Sequence, residues 1–372
     1  MTTRTRPLPT ALAVHEKRQI MHTSVIIVNY NGGHALSACL GSLYADPGCD
    51  EVEVILVDNG SRDGSARRAA RQFPELKVLH SDENLGFGGA NNLGAQHATG
   101  NILAFVNPDT VVEPGWLQAL LHALECDPHA GLATSKILLF DTPCRVNTAG
   151  NDVHLSGLTL CRGLNRPAAQ YEQPAEVAAV SGASFAIRRD LFWRLGGFDA
   201  SYFMYFEDTD LSLRARLAGY HCRYVPDSIV RHDYRLRFGP HKTYYEERNR
   251  YMTLLKIFRW PTLLLLFPTL LLAEIVTWGF ILLRDRRNWR NKLRAYGDLW
   301  RQRRAILAAR RRVQETRRAR DGALLEQTTH CLAFEQTGPG LIPCLAHLLF
   351  DPLFYLQRRL LLTLLSAGEA TA

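Results

Sequence analysis

Paired cysteines are what this 372-residue sequence most conspicuously lacks. Its eight cysteines (39, 49, 126, 144, 161, 222, 331 and 344) form no Cys-x-x-Cys pair and no zinc-ligand spacing, so they read as reduced, mostly packed thiols of a cytosol-facing protein. No segment recurs at a fixed period, which excludes solenoids and propellers. Neither the dinucleotide-binding glycine fingerprint nor the Walker phosphate loop is present. Near the N-terminus the longest apolar run is Ala11-Leu12-Ala13-Val14, too short for a secretory signal peptide. Residues 1–22 are expected to form a flexible tail.

Acidic residues are scarce only in the last third. Residues 1–250 carry 25 Lys/Arg against 27 Asp/Glu, and residues 251–372 carry 19 against 9, so the formal charge of +8 resides entirely in that region. The excess is densest at residues 284–320, where 15 basic residues face only Asp285, Asp298 and Glu315. No nucleic-acid module accompanies this run, and its neighbours are strongly apolar. Anionic lipid is therefore the expected partner and nucleic acid is not.

From residue 24 onward, apolar strand-like runs alternate with helix-like stretches, the pattern of an α/β fold with a mainly parallel central sheet. Ser24-Val25-Ile26-Ile27-Val28 is continuous and apolar, as a strand covered on both faces should be. Further strands are expected at 52–57, 76–79 and 102–106, and helices at 34–44, 65–73 and 88–97. Polar residues collect just past three strand ends: Asn29, Asp58 and Asp109. In open α/β sheets that edge binds ligands. Asp58 can accept hydrogen bonds from a base or ribose, although Asp58-Asn59-Gly60-Ser61 is also simple turn chemistry. The loop from Asn84 through Gly86 to Asn92 is glycine-rich and runs into a helix, where its backbone amides can approach a phosphate.

Two acidic signatures carry the chemistry. Asn107-Pro108-Asp109 follows the apolar run 102–106, and a carboxylate there can hold a divalent cation against a diphosphate. Glu207-Asp208-Thr209-Asp210 opens a helix-patterned segment. A carboxylate at that point can take a proton from a hydroxyl, or the three acids can merely complement the helix dipole, with Asp210 pairing Arg214.

Residues 25–31, 57–65, 84–87, Asn107-Pro108-Asp109 and 207–211 occur in an order and spacing that resembles family 2 glycosyltransferases of the GT-A fold, rhamnosyltransferase-like branch. The resemblance covers residues 23–250. It implies inverting transfer from a nucleotide-sugar, with Mg²⁺ or Mn²⁺ on the donor diphosphate. By this likeness Asp58 holds the nucleoside, together with Asn29, Asn84, Gly86, Asn92 and Asn107, and Ser181-Gly182 borders the donor sugar. Asp109 and His232 bind the metal, Asp208 is the general base, and Glu207 lies on the acceptor side. Asn107 replaces the first acid of the family's Asp-x-Asp motif, and an amide is the poorer ligand for a hard cation. Asn91 stands where many members carry an arginine, so diphosphate charge must be met elsewhere.

Residues 262–283 are almost wholly apolar and, as a helix, reach about 33 Å, enough to span a bilayer. Pro268, Glu274 and basic flanks argue against a simple crossing, which would violate the positive-inside rule. The expectation is a kinked or re-entrant segment on the cytosolic face, with an interfacial helix at 341–366; two transmembrane passes, or two buried helices, are the alternatives. A membrane-bound transferase suggests a glycan or polyprenyl-linked glycan acceptor. The sequence thus reads as a 23–250 transferase domain followed by a helical membrane-associated region at 251–372, making surface polysaccharide with dTDP-L-rhamnose as the first donor to test. A sugar-nucleotide pyrophosphorylase would want a basic glycine-rich loop near the N-terminus. A non-catalytic nucleotide-sugar-binding protein would not need Asp109, Asp208 and His232.

Overall fold

A computed structural model describes residues 22–49, 52–234, 239–337 and 341–370. The expected tail, apart from His22, lies outside the described residues. The strands are β1 (Thr23–Asn29), β2 (Glu53–Asn59), β3 (Lys77–Ser81), β4 (Ile102–Val106), β5 (Thr110–Val112), β6 (Ala130–Leu139), β7 (Val146–Thr148), β8 (Asn151–Val153), β9 (Thr159–Cys161), β10 (Ala175–Val177), β11 (Ser184–Arg188) and β12 (His221–His232). The helices are α1 (Gly33–Ala45), α2 (Ser65–Gln72), α3 (Gly86–His97), α4 (Trp116–Cys126), α5 (Arg189–Arg194), α6 (Glu207–Leu217), α7 (Pro240–Ile257), α8 (Trp260–Arg284), α9 (Trp289–Arg301), α10 (Arg303–Glu315), α11 (Asp321–Glu326) and α12 (Leu341–Ala370).

The main sheet runs β10-β12-β6-β11-β4-β1-β2-β3, with β5 on β12 and β7 on β6. The β3-β2-β1-β4 half is parallel. β11 enters antiparallel to both β4 and β6, and β6 and β12 are again parallel. Period-2 alternation explains the layering. Val25 and Ile27 of β1 join the cluster under α1, α2 and α4, whereas Ile26 joins the opposite cluster under α3, α5 and α6. The register places Asn29 beside Asp58 and Asp58 beside His80, so the parallel half brings its polar residues to one edge.

Three sequence expectations shift. The third helix starts at Gly86, not Gly88, because Gly86 takes a left-handed φ of +73° and donates its N–H to Asn84 Oδ1 at 2.9 Å. The boundary expected at residue 250 falls inside α7, a continuous helix to Ile257. Its Leu254 and Ile257 share a cluster with Leu213 and Leu217 of α6, Leu266 of α8 and Phe354 of α12. Finally, α8 is one 25-residue helix that passes through Pro268. A single internal proline costs about 3 kcal/mol; the helix nevertheless continues through it, with Thr262, Leu266, Thr269 and Ala273 buried on its inner face. The chain therefore does not enter and return within residues 262–283.

α8 is long and apolar enough to cross a membrane by length and composition. None of the eight cysteines forms a disulfide. Burial pushes the Cys39 thiol up to about 12, so it is an inert packed group.

Candidate active site

At the parallel edge, Asn29 is fully buried and works as an organiser. Its side-chain Nδ2 donates to Ser65 Oγ (2.9 Å), Ser61 Oγ (3.0 Å) and Asp58 Oδ1 (3.3 Å), and its Oδ1 accepts from Gly32 N–H (3.0 Å). Asp58 is thus held at the end of β2, with Oδ2 3.4 Å from Nδ1 of the exposed His80. Asn84 and Asn59 lock the next loop: Asn59 Nδ2 donates to Asn84 Oδ1 at 2.9 Å, and Asn59 Oδ1 accepts from Leu85 N–H at 2.8 Å. Asn92 grips the backbone of Phe198 with both ends of its amide, at 2.8 and 2.9 Å. The amides of Asn29, Asn84 and Asn92 are therefore engaged within the protein and shape the edge. Gly86 does so by proximity, since a Cβ there would collide with the Phe203 carbonyl.

Asp109 lies between β4 and β5, in a turn closed by Thr110 Oγ1 donating to the Asn107 carbonyl at 2.7 Å. The Asn107 side chain makes no hydrogen bond among the described residues. Pairing of β5 with β12 sets Thr110 opposite His232, which brings His232 Nε2 to 3.3 Å from Asp109 Oδ1. His232 Nδ1 lies 2.9 Å from Asn147 Oδ1. With Nδ1 donating to Asn147 Oδ1, a neutral imidazole would turn its Nε2 lone pair toward Asp109. Asp109 Oδ1 is buried and accepts no hydrogen bond. A carboxylate oxygen and an imidazole nitrogen thus converge, an arrangement that a shared cation could bridge, with Asn147 orienting the ring from behind. No group of three or more His, Cys, Asp or Glu placed to hold a metal ion exists among the described residues. Two protein ligands, with diphosphate oxygens and water for the rest, suit Mg²⁺ or Mn²⁺.

Across the sheet junction, Asp208 sits at the N-terminal end of α6. Its Oδ2 accepts the Gly182 N–H at 2.7 Å and the Asn151 amide at 3.4 Å, and its Oδ1 accepts the Thr209 N–H at 2.7 Å. Burial raises its affinity for a proton, and the Gly182 and Thr209 N–H groups oppose that rise, as suits a general base. A Cβ at Gly182 would press on Asp208 Oδ2 at 3.3 Å. Ser181 is buried, and its Oγ accepts the Ala183 N–H at 3.4 Å. Glu207, beside Asp208, is 6 % exposed. Burial, then the Asp208 charge, pushes its carboxyl up to about 8, and its Oε2 has no partner.

The segment feeding this pair carries three non-glycine residues at positive φ: Phe203 (65°), Tyr205 (64°) and Phe206 (75°). Such residues cost of order 1–3 kcal/mol each and persist only where the surroundings dictate them. Here α7 dictates them. Asn249 donates one side-chain amide to the carbonyls of Met204 and Tyr205 at 2.8 Å and of Tyr202 at 3.1 Å. Arg248 binds the Ser201 and Tyr202 carbonyls. Lys256 reaches Asp210 Oδ1 at 2.7 Å and Asp199 Oδ2 at 2.8 Å. Asp210 also receives Arg214 at 2.7 Å, so it is an anchor of α6.

Sequence reasoning did not find Asn151, whose hairpin β8–β9 also supplies Thr159 to Thr209 Oγ1 at 3.2 Å. It also missed Lys242, whose Nζ lies 5.5 Å from the Tyr205 ring and 3.5 Å from Glu246.

Residues 24–196 match the family described as glycosyl transferase family 2. An N-acetylglucosaminyl-diphospho-decaprenol L-rhamnosyltransferase of Mycobacterium tuberculosis is 33 % identical over 236 residues, 56 % of this chain and 75 % of that protein. The chain belongs to glycosyltransferase family 2. It is a glycosyltransferase of the rhamnosyltransferase-like branch, acting with a nucleotide-sugar donor.

Solved structures agree on the GT-A fold of this family 2 glycosyltransferase. GalNAc-T7 with UDP, GalNAc and Mn²⁺ aligns with TM-score 0.54 and 21 % identity, over 64 % of this chain and 48 % of that one. The mannosyltransferase PcManGT of Pyrobaculum calidifontis, with GDP-Man and Mn²⁺, aligns with TM-score 0.50 and 18 % identity, over 88 % and 87 %.

Proposed function

We propose that the protein is an inverting, metal-dependent transferase of L-rhamnose from dTDP-L-rhamnose to a hydroxyl of a polyprenyl-diphosphate-linked glycan, at the cytosolic face of the cell membrane, in surface polysaccharide synthesis. The observation that carries the chemistry is Asp208, held by Gly182 and Thr209 at the sheet junction. Its carboxylate accepts the acceptor hydroxyl proton while that oxygen bonds to the anomeric carbon. The bond from that carbon to the diphosphate breaks, and its electron pair leaves on the nucleoside diphosphate. One displacement inverts the centre and needs no covalent enzyme intermediate.

Asp58 holds the nucleoside at the end of β2. Asp109 and His232 would hold a divalent cation. That ion, when bound, stabilises charge on the leaving diphosphate. The sugar and the lipid-linked acceptor rest on the activity of the Mycobacterium tuberculosis relative; the metal rests on the converging Asp109–His232 pair and on the Mn²⁺ in both aligned structures.

The test offers the purified full chain a panel of nucleotide-sugars with an N-acetylglucosaminyl diphosphate lipid and measures nucleoside diphosphate release and product mass. Acceptor-dependent release from dTDP-L-rhamnose alone supports the reading. Preference for another donor removes the rhamnose assignment, and no transfer from any donor removes the whole.

A further inference from the structure

The strongest unexplained surface is the outer side of α8 and α12. On α8, Leu264, Phe267 and Leu271 are 55–76 % exposed, and on α12 Leu348, Leu356 and Leu360 are 58–72 % exposed. Leu264, Phe267 and Leu271 follow i, i+3 and i+4 spacing, as do the exposed Leu345, Leu349, Leu353, Leu356 and Leu360 of α12, so each helix turns one continuous apolar stripe outward. The inward stripe of α8 comprises Thr262, Leu266, Thr269, Ala273 and Ile281, all buried. Side by side, the two outward stripes exceed what a soluble monomer ordinarily leaves in water.

The same helix is tied to the catalytic body along its whole length. At its start, the Arg259 N–H donates to Asp321 Oδ2 at 2.8 Å. In its middle, Glu274 meets Arg250 at 2.8 Å and Lys292 at 3.0 Å, and accepts from Tyr296 at 2.5 Å. At its end, Asp285 Oδ2 accepts from Thr243 of α7 at 2.9 Å. A helix crossing a bilayer has its two ends in different aqueous compartments. Start, middle and end of α8 all bond to one polar body, and a crossing would drag α7 into hydrocarbon with its buried Arg250.

Both ends also carry arginine–tryptophan pairs. At the start the exposed Arg259 adjoins Trp260, which is 55 % exposed, and just past the end Arg290 lies 5.4 Å from the Trp289 ring. Ten arginines between Arg284 and Arg312 are exposed. Cations and indoles at both ends of one apolar stripe suit a helix lying in a single headgroup plane. They do not suit a second copy of this chain, which would set one arginine-rich region against another.

We infer that the outer faces of α8 and α12 form one docking surface that lies in the plane of an anionic bilayer leaflet, without crossing it. This deepens the membrane part of the function proposed above and is independent of which sugar is transferred. It also explains how the base keeps its height over the lipid. The β8–β9 region, whose Asn151 contacts Asp208, is fastened to the docking helices' own segment. Thr329 N–H donates to the Val153 carbonyl at 2.9 Å, and the His154 ring packs on Phe354 of α12 at 4.5 Å.

The experiment is flotation of the full chain with sealed vesicles of phosphatidylcholine, with and without phosphatidylglycerol. Wild type should float with the anionic vesicles, less so in high salt. Phe267→Glu combined with Leu271→Glu should lower the bound fraction by about tenfold or more, while donor-dependent nucleotide release in vesicle-free solution is unchanged. Trypsin added outside should cut within residues 284–312 on bound wild type. Unchanged flotation of the double variant overturns the inference. So does a concentration-dependent dimer that the same substitutions abolish, or protection of residues 284–312 from outside trypsin while the catalytic region is digested. Failure of transfer with every donor, alongside normal flotation, would remove the enzymatic reading and leave this surface standing.

Discussion

Glu207 should make the protein lose stability as pH rises, and Glu207→Gln should abolish that loss. Its carboxyl is buried at the start of α6 next to Asp208, with one oxygen unpartnered. Burial first, and the Asp208 charge second, raise its proton affinity from 4.5 to about 8. Because the folded value exceeds the unfolded one, the protonated acid favours the fold fully below about pH 4.5. That contribution is lost progressively as pH rises through about 8. With 1.36 kcal/mol for each pH unit of difference, the wild type loses about 3 kcal/mol between pH 5 and pH 8 from this group. The glutamine variant cannot ionise there. Any fixed cost of burying its amide is the same at both pH values, so the readout is the slope. Urea unfolding of both proteins without ligand, at pH 5, 6.5 and 8, gives that slope from the change in midpoint. The variant should gain on the wild type by about 3 kcal/mol across this range. Parallel stability curves would refute the claim that Glu207 is held as a neutral acid.

Asp208→Asn should lower transfer by about 10²–10⁴ while dTDP-sugar binding by calorimetry persists; near-normal turnover would remove Asp208 as base. Chelation should abolish transfer and Mn²⁺ should restore it, with Asp109→Ala needing more metal than wild type; full activity in excess chelator would show that the Asp109–His232 pair holds no required ion. Asn249→Ala leaves three carbonyls of the strained 202–206 segment without their shared donor and should cost about 1–3 kcal/mol in urea unfolding. It should also lower kcat more than it changes donor affinity, and an unaffected kcat would mean that α7 does not set the position of Asp208.

The parallel half of the fold was legible because each of its strands is a local run with a polar stop. β1, β2 and β4 are continuous apolar segments, and Asn29, Asp58 and Asp109 follow from where those segments end. Asp208 was legible through its own neighbours, Glu207 and Asp210. What escaped the sequence is non-local. Asn151 meets Asp208 across 57 positions, and nothing in its surroundings marks it. The Glu274 partners Arg250 and Lys292 lie on α7 and α9, so a carboxylate that read as a flaw in an apolar run is the point at which that run is fastened. Asn29, Asn84 and Asn92 read as ligands through the family likeness; their bonds to neighbouring side chains and backbone appear only once the loops are closed.

Lys256 has a consequence for modularity. It lies beyond residue 250, where the resemblance carried by the sequence motifs ends, yet it holds Asp199 and Asp210 on either side of the loop that aims the base. Cutting the chain at residue 250 would remove this cation and leave Asp210 with Arg214 as its one cationic partner among the described residues, beside the Tyr202 hydroxyl, so the catalytic portion is not severable where the resemblance of its motifs ends. Anyone grafting these active-site loops onto a foreign membrane anchor would have to carry α7 intact to its last turn. Two such proteins could exchange their C-terminal helices without harm only downstream of that lysine.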